Sequence, residues 1–240
     1  MTLIELTKKP LPKIAEADKK RIESEEITPT AFCDKNKILS SEKLQNEIGF
    51  EKLSNGNYLV SMTCPMEGIT PEMINWWFWW HPQKSERYKA WFPGEHYSVS
   101  FAKKDKAYFT ENELPSFKEN SQFPVERIGK IVMPLRIDFK APENFGFSKK
   151  IMEENDIPLI VCGNVSAMGG LVSHTKMAHI FKKTENGLFL ISRFWIGETL
   201  KNPLLRKVIL NDDTAKGMAE HCYVEYRNLV EVLKVLYNKR

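Results

Sequence analysis

A chain of 240 residues, 42% apolar and 28% charged, has the composition of an ordinary globular protein and is long enough to bury a sizeable core. Its 35 Lys and Arg stand against 31 Asp and Glu without a long basic run, which argues against a nucleic-acid partner and gives no support for a membrane surface. Cys33, Cys64, Cys162 and Cys222 are far apart with no CxxC pair, so free thiols are expected rather than a zinc knuckle or a redox motif. The first residues lack the apolar core of a signal peptide, and no apolar run is long enough to span a bilayer, so the expected compartment is the cytoplasm.

Residues 1–50 read as an arm with short helices around Ile14–Glu26 and Ser41–Ile48, broken by Pro10, Pro12 and Pro29. The main domain is expected over residues 51–240, opening with a strand over Tyr58–Met62 after the Asn55-Gly56 turn signal. Thr70, Pro71 and Glu72 then form a helix start: a capping hydroxyl, a proline suited to the first helical position and an acid at the positive dipole end. Trp76, Trp77, Phe78, Trp79 and Trp80 point in every direction around that helix, which must therefore be buried or line a pocket. Pro82 is expected to draw His81 out of the helical region before a second short helix over Ser85–Trp91.

Beyond His96, the alternation of Tyr97, Val99 and Phe101 predicts a strand, and the segment Asn112–Pro124 reads as a loop. Further strands are predicted over Ile131–Phe139, Leu159–Asn164, Leu171–Phe181 and Leu188–Trp195, with Asn186-Gly187 as a turn and Lys149–Asn155 as a short helix. Period two places Met177, His179 and Phe181 on one strand face. After an irregular stretch past Gly197, a helix runs from about Asp213 to Tyr237, capped by Asp212 or Asp213. Met218, Cys222, Leu229, Leu233 and Leu236 share one stripe of it, with Lys216, Glu220, Arg227, Glu231 and Lys234 opposite. This order predicts an α+β fold of helix-grip (Bet v 1-like) type, a curved antiparallel sheet wrapped around the C-terminal helix with a cavity between them.

Glu225 lies in the middle of the apolar stripe and His221 at its edge. A carboxylate there must be paired, protonated or bound to a metal. His221 and Glu225, four residues apart, project from one helix face and can share an ion; the alternative is pairing of Glu225 with a buried Arg or Lys. His96, Glu126, His179 and Tyr88 each have a structural reading as well: a loop histidine, a strand-edge acid, a hydrogen-bonded core histidine and a packing tyrosine. There is no GxSxG elbow, no GxxxxGK[ST] loop and no GxGxxG.

The segments GITPEMINWWFWWH, RYKAWFPGEHY, ERIG, SRFWIG and HCYVEYRNL, in this order from Gly68 to Leu229, resemble the 2,4-diacetylphloroglucinol hydrolase family, which includes phloretin hydrolase. The resemblance implies a helix-grip zinc enzyme that hydrolyses the carbon–carbon bond between an acyl group and a phloroglucinol-type ring. It implies zinc ligands at His96, Glu126, His221 and Glu225, substrate contacts from His179 and Tyr88, a small aromatic ketone as substrate, and a homodimer. The metal is then expected to activate water and polarise the acyl carbonyl, with the aromatic helix supplying flat walls. Phe194 stands where some members are expected to have tyrosine, which bears on acyl and ring specificity. The competing readings are a non-catalytic carrier of an aromatic or lipid-like ligand, and a zinc enzyme acting on an ester or another β-dicarbonyl compound.

Overall fold

The computed structural model describes residues 1–11, 13–24, 27–40 and 46–240. In chain order the helices are α1 (Leu3–Leu6), α2 (Glu16–Ser24), α3 (Pro71–Trp80), α4 (Ser85–Trp91), α5 (Lys106–Phe109), α6 (Pro142–Phe145), α7 (Lys149–Glu154), α8 (Pro203–Ile209) and α9 (Asp212–Tyr237). The strands are β1 (Ile48–Lys52), β2 (Tyr58–Glu67), β3 (His96–Ser98), β4 (Asn120–Gln122), β5 (Val125–Ile128), β6 (Ile131–Lys140), β7 (Leu159–Ala167), β8 (Val172–Thr184) and β9 (Gly187–Ile196). They form one antiparallel sheet in the order β1-β2-β9-β8-β7-β6-β5-β3, with β4 pairing off this path to β6.

The long central strands are apolar on both faces because both faces are covered. Val60, Met62, Phe194 and Ile196 join α9 residues Cys222, Leu229 and Leu233 in the larger core. Leu59, Ala178, Ile180 and Trp195 point the other way, into a second core with Ile27, Ile38 and Leu39. Ile27, Phe32, Ile38 and Leu39 thus cover the outer face of the sheet, whereas Leu6 and Ile22 pack into the larger core. Trp195 Nε1 donates to the Thr30 carbonyl at 2.8 Å, and the buried Arg193 pairs with Glu47 at 2.7 Å. A large antiparallel sheet carrying a long C-terminal helix on one face is compatible with the expected helix grip.

Several local expectations are corrected. The Ser41–Ile48 helix falls largely on residues outside those described, and Ile48 itself opens β1. The strand over Tyr97–Phe101 ends at Ser98, the loop Asn112–Pro124 contains β4, and the stretch past Gly197 contains α8, capped by Asn202 before Pro203. Helix α9 is capped by Asn211, whose side chain accepts from the Thr214 amide at 2.9 Å. His81 stays helical, with φ −65° and ψ −36°, because it opens a 3-10 turn over His81–Gln83 whose first turn accommodates Pro82, and the imidazole Nδ1–H donates to the Trp77 carbonyl at 2.8 Å. Among the described residues, no helix is long and apolar enough to cross a membrane.

Candidate metal centre

Three elements deliver the site. Helix α3 starts as its sequence dictates, with the Thr70 hydroxyl accepting from the Met73 amide and Pro71 in the first turn. Its rings then anchor α4: Trp77 and Phe78 each meet Trp91 edge to face. Helix α4 in turn leads through Gly94, at φ +85°, into β3, where His96 is the first residue. Strand β5 runs antiparallel beside β3 with Glu126 directly opposite His96. Helix α9 crosses this edge and presents His221 and Glu225 from one face, both buried.

His96 Nε2 lies 3.5 Å from a Glu126 oxygen and 3.5 Å from a Glu225 oxygen, while His221 Nε2 lies 3.9 Å from the other Glu225 oxygen. Burial, reinforced by the neighbouring His221, holds the His96 pKa well below the usual imidazole range, and burial brings His221 down to about 4. Both rings are therefore neutral, and these contacts are not ion pairs. Burial raises Glu126 to about 7 against an opposing hydrogen bond from Tyr88, and burial plus the adjacent Glu126 raises Glu225 well above the carboxylate range.

This donor set fits a divalent cation. His96 Nδ1–H points to the Tyr88 carbonyl at 3.2 Å, which leaves the Nε2 lone pair facing the cluster. That buried Nε2 has no hydrogen-bond partner among the described residues. His96, His221 and Glu225 bring ligand atoms within 4.8 Å of one another, close enough to share a metal ion. Neutral imidazole nitrogen and carboxylate oxygen suit zinc. Glu126 stands beside this trio, but its oxygen nearest His96 also accepts the Tyr88 hydroxyl.

The cluster borders a cavity of about 250 Å³ lined mostly by apolar side chains, with Tyr88, Glu126, His179, His221 and Glu225 on its wall. Tyr88 stacks face to face on His96 with ring centroids 3.8 Å apart. His179 holds Ser192 Oγ at 2.8 Å through Nδ1, its ring lies 4.9 Å from Tyr226, and burial lowers its pKa to about 3. Phe194 meets His179 edge to face and supplies no hydroxyl. The expectation that the aromatic helix walls the cavity holds for Phe78 alone among its five consecutive rings. Trp76 and Trp80 stack on one another instead, and Trp79 Nε1 donates to the Tyr108 carbonyl. Sequence reading overlooked Trp91, His174 and Tyr226, which also line the cavity. The position of Tyr226, next to Glu225 on the apolar side of α9, could have revealed it; the others carry no comparable signal.

A family model described as DAPG hydrolase PhiG domain matches residues 30–238. Two proteins named 2,4-diacetylphloroglucinol hydrolase, from Pseudomonas protegens and Pseudomonas sp, are each 33% identical over 180 residues, 71% of this chain. The aligned region covers 56% and 58% of those two proteins, so the chain spans little more than half their length. Phloretin hydrolase of Eubacterium ramulus is 30% identical over 218 residues, 86% of this chain and 77% of that protein. A crystal structure of protein Ms6760 from Mycobacterium smegmatis aligns with a TM-score of 0.38 and 9% identity over 78% of this chain and 94% of that one, a likeness too slight to bear on the fold. With the match running through every element that builds the site, the chain belongs to the DAPG hydrolase PhiG domain family.

Proposed function

We propose that the protein is a zinc-dependent hydrolase that cleaves the carbon–carbon bond between an acyl group and a phloroglucinol-type ring. The observation that carries this reading is the convergence of two neutral imidazoles and a carboxylate, with His96 Nε2 unpartnered, at the wall of an apolar cavity. His96, His221 and Glu225 would hold the zinc, with Glu126 as the fourth ligand. Bound there, zinc supplies Lewis acidity towards water and the acyl carbonyl.

The chain's own groups account for the rest. The apolar wall takes up a flat ring and excludes bulk water. Tyr88, packed on His96, keeps Glu126 oriented through its hydroxyl and stands beside the reacting end. His179 is held by Ser192 at Nδ1, which leaves Nε2 to hydrogen-bond a phenolic oxygen and to carry a proton. In the net reaction the water oxygen ends on the acyl carbon as a carboxylic acid, the ring–acyl bond breaks, and the ring carbon takes a proton. Adjacent phenolic oxygens make that departure feasible because the ring can leave as its keto tautomer.

The same reading takes the fold as a Bet v 1-type helix grip, with residues 51–240 as the catalytic domain, working in the cytoplasm as a homodimer. A carrier of an aromatic ligand would also use an apolar cavity, and it leaves a buried cluster of two histidines and two carboxylates without a purpose. The decisive experiment is metal analysis of unchelated protein beside product analysis with 2,4-diacetylphloroglucinol and phloretin. Stoichiometric zinc and release of a carboxylic acid are expected. Binding without metal or turnover would favour the carrier, and turnover of esters alone would point to the other zinc chemistry.

A further inference from the structure

His174 departs from the alternation of its own strand. Thr175, Met177 and His179 line the cavity, and a regular strand would turn His174 to the opposite face with Lys176. Yet His174 lines the cavity too. The register between β7 and β8 slips between Val165 and Ser166: Val165 faces Thr175 and Ser166 faces Ser173, so His174 has no residue opposite it. Such a bulge re-aims a side chain, and here it turns an imidazole inward.

The inward ring is only half satisfied. Its Nδ1 lies 2.6 Å from Thr175 Oγ1, while Nε2 is buried without a hydrogen-bond partner among the described residues. The cavity-lining residues across from Thr175 on the two neighbouring strands, Val165 and Ile196, are apolar. A buried ring nitrogen left open in an apolar wall is costly until a polar atom of the cavity's occupant meets it.

We propose that His174 Nε2 is a distal anchor of the substrate site, hydrogen-bonding a hydroxyl carried by the acyl chain far from the reacting carbonyl. This rests on the hydrolase reading above. His174 lies five residues from His179 along β8, roughly 16 Å of strand. His179 in turn packs on Tyr226, the neighbour of Glu225, and so belongs to the metal-centre end of the cavity. A single ring bearing acetyl groups is too short to reach both histidines. The substrate class that fits is an acylphloroglucinol whose acyl chain ends in a hydroxylated aromatic ring.

The test crosses the hydroxyl with the histidine. Two acylphloroglucinols differing only in the hydroxyl on the distal ring are assayed with zinc-supplemented wild type, His174→Leu and His174→Gln. The wild type should favour the hydroxylated compound by about tenfold in kcat/KM, mainly through KM, because a site built to bond a hydroxyl rejects the analogue lacking it. His174→Leu should shrink that preference to within about twofold, with His174→Gln between the two. Equal treatment of the two compounds by the wild type, or an undiminished preference in His174→Leu, overturns the assignment. The wild-type comparison decides even if the leucine variant does not fold. Hydrolysis of neither compound overturns the hydrolase reading itself and this inference with it.

Discussion

Replacing Glu225 by glutamine keeps the side chain's shape and removes one negative charge from a place where burial and the adjacent Glu126 disfavour it. Two opposite effects follow. Without metal, a carboxyl whose folded pKa lies above its unfolded value costs stability at neutral pH, so the glutamine variant should be at least as stable as the wild type. With metal, the wild type gains RT ln(1 + [L]/Kd), about 4 kcal/mol when zinc exceeds Kd a thousandfold. For 240 residues the unfolding entropy is roughly 0.5 kcal/mol per degree, so zinc should raise the wild-type Tm by roughly 8 °C. Glutamine offers a weaker neutral oxygen, and the shift should fall to about a degree or two. Thermal denaturation of chelator-stripped protein, with and without zinc and alongside metal content, reads both effects. The expected pattern is a crossing: variant equal or ahead when stripped, wild type ahead when loaded. A variant that keeps stoichiometric zinc and the full shift would refute the assignment of Glu225 as a ligand.

Three further perturbations test separate parts of the argument. Tyr88→Phe keeps the ring that stacks on His96 but removes the hydroxyl given to Glu126; turnover should fall about 10- to 100-fold while zinc stays bound, as steady-state kinetics and metal analysis would show. Acid should weaken the fold through His81, which burial lowers to about 3. The unfolded chain takes up that proton near pH 6.5 and the folded chain does not, so stability is full above 6.5 and falls towards 3, by about 1.4 kcal/mol per pH unit for this one group. Urea denaturation at pH 7 and pH 5 should therefore show His81→Asn losing about 2 kcal/mol less than the wild type, a difference that also cancels the opposite drift from Glu126 and Glu225. Glu47→Gln leaves buried Arg193 without its charge partner and disturbs the bond from Ser61 Oγ at 2.6 Å; a loss of about 3–5 kcal/mol is expected, and one below about 1 kcal/mol would mean water reaches that pair.

What could be read from the residues was whatever local chemistry decides. Thr70-Pro71 starts a helix, Asn186-Gly187 turns a hairpin between β8 and β9, and the stripe on α9 faces the core, because each needs only nearby side chains. Elements that depend on distant partners escaped. β4 is three polar residues whose strand character comes from pairing with β6, and β1 exists because β2 lies beside it. The outer role of Ile27, Ile38 and Leu39 was hidden for the same reason. They are scattered in sequence, and only the exposed back of the sheet makes them one surface.

The site divides along the same line. His221 and Glu225 were legible as a pair because one helix turn separates them and the helix alone sets their common face. That His96 and Glu126 meet them is decided by the register of β3 on β5 and by the packing of α9 across that edge, neither of which leaves a mark in the spacing. Only the resemblance to known enzymes supplied those two positions. His174 is the extreme case, since its own strand pattern assigns it to the wrong face until a slipped register reverses it. Residues whose direction is set by a register break are invisible to periodicity, and buried donors or acceptors left open at such breaks are where a ligand's polar groups should first be sought.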